Sequence, residues 1–145
     1  MKPTHPPRSE AIFFGALPFN IVRAVDGTAG TTTAEVAVGV APNKSKLVKA
    51  YYLPGSALTA NDTDYATITV SRYTAAGDSK TTIATVTTKI TGGTGDWTAK
   101  VPVAITLSAD NAVAAGALIT YEVAKAGSGV ALPAGSLVLV LSDAR

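Results

Sequence analysis

The chain has 145 residues and no cysteine. It is long enough for one domain with its own core, and it excludes disulfides and thiolate metal sites. Net charge is +2, with charged residues at 15%, below the ~25% usual for a soluble domain, and no Lys/Arg run or basic–aromatic stripe speaks for nucleic acid.

Mean hydropathy is positive, so part of the surface is expected to be covered, in an oligomer or on a partner. No apolar stretch approaches the ~20 residues a membrane helix needs. The absence of Gln and the single Met match one signature of heat-stable proteins, while the low charge opposes it; thermophilic origin stays open on the residues alone.

Residues 1–15, MKPTHPPRSEAIFFG, read as an extended arm, and residues 16–145 as one β-sandwich domain. Pro3, Pro6 and Pro7 cannot continue a helix or a ladder. They also stand where a signal peptide has its apolar run, so use without that secretion route is expected. Ile12, Phe13 and Phe14 form an apolar anchor. Two readings follow: the anchor folds onto its own domain, or the arm docks on a neighbouring subunit. The second is preferred, with Pro3, Pro6, Pro7, Arg8, Ile12, Phe13 and Phe14 as candidate partner-binding residues and the prolines as a stiff spacer.

A strand is expected over Leu17–Val25, where Phe19, Ile21 and Arg23 alternate with Asn20 and Val22. Thr32–Val40 is the next, with Val36, Val38 and Val40 on one face. Lys44, Lys46 and Lys49 then read either as a solvated strand edge that blocks unwanted pairing or as contacts to an acidic partner. The central stretch, Lys46–Tyr73, predicts strand, connection, strand. Leu47–Leu53 is apolar and aromatic, and in Tyr65–Tyr73 the residues Ala66, Ile68 and Val70 face one way and Thr67, Thr69 and Ser71 the other. The turn-rich segment between them is longer than a tight hairpin needs, as a crossing between two sheets would require.

Lys80–Ile90 is a Thr-dominated strand, and Thr91–Asp96 a Gly-dense loop before Trp97. Val101–Leu107 alternates without fault, with Pro102 indicating an edge or a strand start. Ser108–Asn111 reads as a cap for one helical turn over Ala112–Ala115. Leu118–Ala124 and the continuous apolar run Leu137–Leu141 close the chain as strands. About eight strands with Gly/Pro turns and no helical period indicate an all-β fold, a jelly-roll-like sandwich first and an immunoglobulin-like one second.

Chemistry is sparse. The sole histidine, His5, lies in the Pro-rich arm without a rigid frame for acid–base work. No catalytic, cofactor or metal residues are assigned. Asn61-Asp62-Thr63-Asp64 lacks the Gly and distal Glu of a calcium loop and reads as an Asx turn. Asp64, Asp78 and Asp96 sit in separate loops and suggest no carboxylate pair. Trp97 reads as a core residue, with stacking on a glycan as the second reading.

Ala50–Tyr73 (AYYLPGSALTANDTDYATITVSRY) and Val101–Leu141 (VPVAITLSADNAVAAGALITYEVAKAGSGVALPAGSLVLVL), with the Gly-rich loop between them, resemble the small jelly-roll decoration, or cement, proteins of tailed-bacteriophage capsids. The resemblance is closest to those of siphophages of thermophilic hosts. Ala117 departs from it, standing after Gly116 where that pattern has a polar residue. The resemblance implies a homotrimer on the outer surface of the virion, assembled in the host cytoplasm. Its partner would be the major capsid protein, with terminal arms gripping capsid or neighbouring subunits. It implies no enzyme activity, cofactor, membrane or nucleic-acid partner. A head-fibre or glycan/receptor-binding module is the alternative, and a hydrolase the third reading.

Overall fold

A computed structural model describes residues 18–28 and 35–144. These form ten strands: β1 (Pro18–Val25), β2 (Val36–Val40), β3 (Ser45–Pro54), β4 (Tyr65–Tyr73), β5 (Lys80–Thr87), β6 (Val103–Ala104), β7 (Thr106–Leu107), β8 (Ala112–Val113), β9 (Leu118–Ala126) and β10 (Gly135–Asp143). One antiparallel sheet, sheet A, runs β1-β10-β3-β6, with β8 also on β3; the other, sheet B, runs β2-β9-β4-β5-β7.

The pairing is nested. β1 pairs with β10, β2 with β9, β3 with β8, and β4 with β5. That is a long hairpin rolled over on itself, the jelly-roll order. The connection from β3 to β4 crosses from sheet A to sheet B, as its length requires.

Period-two patterning places the core between the sheets. Leu47, Tyr52, Leu137, Leu139 and Leu141 come from sheet A and Ile68, Val70, Ile83, Ile119 and Val123 from sheet B, all essentially inaccessible. Five details depart from the pattern. The register of β2 shifts between Ala37 and Gly39, so Val36 and Val38 pack inward but Val40 is turned out and 56% exposed. A second shift lies in the β4·β5 pair, where Ile83 is the extra residue of β5 and packs inward beside Ala84, while Ser71, opposite Thr120 on the outer face, is nonetheless buried.

The faultless alternation of 101–107 is not one strand. β6 lies in sheet A and β7 in sheet B, and Ile105 spans the gap with its N–H donating to Ala50 O. Alternation records which side chains are buried, and a crossing segment buries them with the same period. No helical turn forms at Ala112–Ala115. Ala112 and Val113 pair with Lys46 and Ser45 instead, and Val113 is buried, a contact that outweighs alanine's helix propensity. Ile90 lies beyond the end of β5 and is exposed.

Candidate interaction surface

β10 explains the most unusual surface. Its sequence GSLVLVLSD sends Leu137, Leu139 and Leu141 to the core. The alternate positions, Val138 and Val140, therefore face outward, where a one-sided antiparallel sheet ordinarily places polar residues. Register extends this across sheet A: Val22 opposes Val138, Val138 opposes Tyr51, and Tyr51 opposes Ala104. The neighbouring rows are Ala24–Ser136–Leu53 and Asn20–Val140–Lys49. Val22 is 63% exposed at the sheet edge, and Val48, extruded by a bulge in β3, is exposed too. Positive charge is confined to one end, at Lys46 and Lys49.

These lysines do not guard an edge. β3 is flanked by β10 on one side and by β6 and β8 on the other, so Lys46 and Lys49 stand on the sheet's outer face.

The outer face of sheet B contrasts with this. One row runs Glu122–Thr69–Thr85–Thr106 and another Ala124–Thr67–Thr87. At the β2 side Glu35 accepts hydrogen bonds from the Thr120 hydroxyl, from Tyr73 OH at 2.8 Å and from Lys80 Nζ at 2.9 Å. Lys80 also reaches Glu122 at 3.2 Å. The Thr120 and Lys80 hydrogen bonds hold the Glu35 carboxyl down at about 2, with Tyr73 adding to them. The same contact raises Tyr73 and Lys80.

The loop carboxylates are occupied as staples. Asn61 Oδ1 accepts from the N–H groups of Thr63 and Asp64, the expected Asx turn. Asp62 accepts the N–H and hydroxyl of Thr91 at 2.7 and 2.8 Å, which lowers its pKa. Asp64 Oδ1 takes Ser128 N–H, Asp96 Oδ1 takes Ala60 N–H, and Asp78 accepts the Thr74 hydroxyl. Among the described residues no three His, Cys, Asp or Glu side chains converge as metal ligands.

Trp97 is 3% exposed. Its ring lies 5.4 Å from that of Tyr52, and its Nε1–H donates to Thr94 Oγ1 at 2.7 Å, so it offers no platform to a sugar. A shallow groove of about 450 Å³ does exist on sheet B, lined by Tyr65, Thr67, Thr85, Thr87, Lys89 and Thr94. Lys89 Nζ stands 4.8 Å from the Tyr65 ring centroid. Sequence reasoning missed this groove because its hydroxyls come from separate strands.

The candidate arm residues Pro3, Pro6, Pro7, Arg8, Ile12, Phe13 and Phe14 lie outside the described residues, as does His5. Their junction is placed: Pro18, at the edge of sheet A, opposite Ser142. Compared with protein-family models and with curated proteins, the chain matches none.

Proposed function

We propose that this chain is a virion structural protein that decorates and stabilises a bacteriophage capsid. It binds the outer shell as a homotrimer, without catalysis or cofactor. The observation that carries the reading is the outer face of sheet A, where Val22, Val138, Tyr51 and Ala104 stand in one row and charge is confined to the Lys46 and Lys49 end. Such a face loses free energy on contact at about 25 cal/mol per Å² of apolar area covered. The lysines suit an acidic rim on the major capsid protein. The N-terminal arm adds a tethered second contact, which raises retention through effective concentration. The resemblance of Ala50–Tyr73 and Val101–Leu141 to decoration proteins supports the same reading.

Sedimentation with purified expanded phage heads tests it. Wild type should co-sediment, and Val22→Glu, which alters an exposed edge position, should keep its circular dichroism spectrum but lose most of the bound fraction. Native mass spectrometry should give a trimer. A monomer that fails to bind shells would overturn the proposal.

A second reading, a glycan-binding module, draws on the hydroxyl-lined groove around Tyr65. A glycan array with wild type and Tyr65→Ala distinguishes it: binding lost with Tyr65→Ala would favour the groove, and no binding to any sugar removes it.

A further inference from the structure

A depression of about 240 Å³ lies on sheet B between two turns, lined by Tyr73, Ala75, Ala76, Gly77, Gly116 and Leu118. The turns meet closely: a Cβ at Gly116, whose φ is +78°, would sit 3.7 Å from Ala75 Cβ. Val40 is directly opposite Leu118 in the β2·β9 pair. The next pair inward, Gly39 and Ile119, faces the core, so Val40 and Leu118 share the outer face, and Val40 is 56% exposed. An exposed β-branched residue thus adjoins a partly apolar hollow that no described residue fills.

The described chain begins at the same end of the sandwich. Pro18 pairs with Ser142, Ser142 pairs with Lys46, and the connection 41–44 links Lys46's strand directly to Val40. A Cβ at Gly39 would lie 3.4 Å from Ile21 Cδ1, so β1 passes over the end of β2. Sheets stack about 10 Å apart and strands about 4.8 Å, so the path from Pro18 to the hollow is about 20 Å. Residues 12–17, extended, span about 20 Å. The first large apolar residues met on that span are Phe14, Phe13 and Ile12.

We propose that the Ile12–Phe14 segment folds back over the outer face of its own subunit and covers Val40, Leu118 and the hollow between the two turns. A tether this short gives an effective concentration in the millimolar range, which favours the chain's own segment over a neighbour's. The three prolines lie on the far side of the anchor. They therefore stiffen the free tip, Met1–Arg8, and do not carry the phenylalanines away from their domain. Lys2, His5 and Arg8 are then the part of the arm left to meet a partner. The inference holds whichever partner that is, so its failure would leave the capsid reading standing.

The absence of native cysteine makes cross-linking clean. In the full chain, Ala11→Cys with Ala76→Cys keeps the whole anchor and changes two small residues, Ala76 being exposed. Under mild oxidation it should give mainly a single-chain product of faster mobility on non-reducing gels. Adding Phe13→Ser and Phe14→Ser should reduce that product about tenfold. Products linking two chains would mean that a neighbour's arm occupies the hollow and would overturn the proposal. So would a yield unchanged by the serine substitutions. As a second measurement, deleting residues 1–14 should shift the amide resonances of Val40, Ala76, Gly116 and Leu118 while leaving the β3·β10 amides in place. No shift at those four would equally overturn it.

Discussion

At Trp97 the structure bears out the core reading, and the buried side chain also pins the Gly-rich loop. The ring packs on Tyr52 and the indole N–H ties back to Thr94. Trp97→Ala should cost about 3–5 kcal/mol, as for other buried aromatic truncations. Trp97→Phe keeps an aromatic ring against Tyr52 but drops the hydrogen bond and should cost less, about 1–2 kcal/mol. Urea denaturation followed by circular dichroism checks both, since the only tryptophan is removed. Glu35 makes a pH-dependent contribution. Its carboxyl titrates at about 2 when folded, against an ordinary value of 4.5. A lowered folded pKa means stabilisation that is present above about pH 4.5 and lost as pH falls towards 2. Glu35→Gln should lower Tm at neutral pH and flatten the acid limb of the Tm–pH curve over that window. A curve parallel to wild type would show that Glu35 is not coupled to folding.

At the scale of elements, backbone approach sets the strictest demands. A Cβ at Gly135 would lie 2.1 Å from Leu53 O, inside the β3·β10 pair, whereas Gly77 has open space and a φ of +77°. Gly135→Ala must push two paired strands apart and should cost about 2–3 kcal/mol. Gly77→Ala meets only the left-handed backbone penalty, about 1 kcal/mol. Denaturation midpoints should rank them in that order. Local patterning also met its limits here. The strands Pro18–Val25 and Tyr65–Tyr73 were legible because their alternation coincides with burial on one face. Val40 was not, because one extra residue in a β2 bulge reverses the face of everything after it. Residues 101–107 and 112–113 were misread for a related reason: a crossing segment and a two-residue strand take their conformation from β3 and β5, not from their own propensity.

For the whole molecule, the nested order joins the two ends of the described chain, β1 to β10, and leaves β1 as the edge from which the arm departs. Residues 1–15 precede the first strand and contribute none of the described core, so deleting them should leave the Tm within a few degrees of wild type while lowering retention on capsid shells. Equal retention of the truncated protein would show that the face of sheet A suffices. Pairing of sequence-distant strands must precede most core burial, so refolding should take milliseconds to seconds in stopped-flow measurements.

The sequence alone determined that this is a two-sheet β protein with its hydrophobic residues between the sheets. Period-two alternation and Gly/Pro turns are local signals of burial and reversal, and both survive folding. Only the tertiary structure decided which outward residues become neighbours. Val22, Tyr51, Ala104 and Val138 come from four separate strands, and register alone aligns them into a face. Val138 and Val140 were visible as part of an apolar run, but a continuous run cannot say which of its residues meet the core and which meet solvent. That distinction depends on which side of β10 the second sheet packs against.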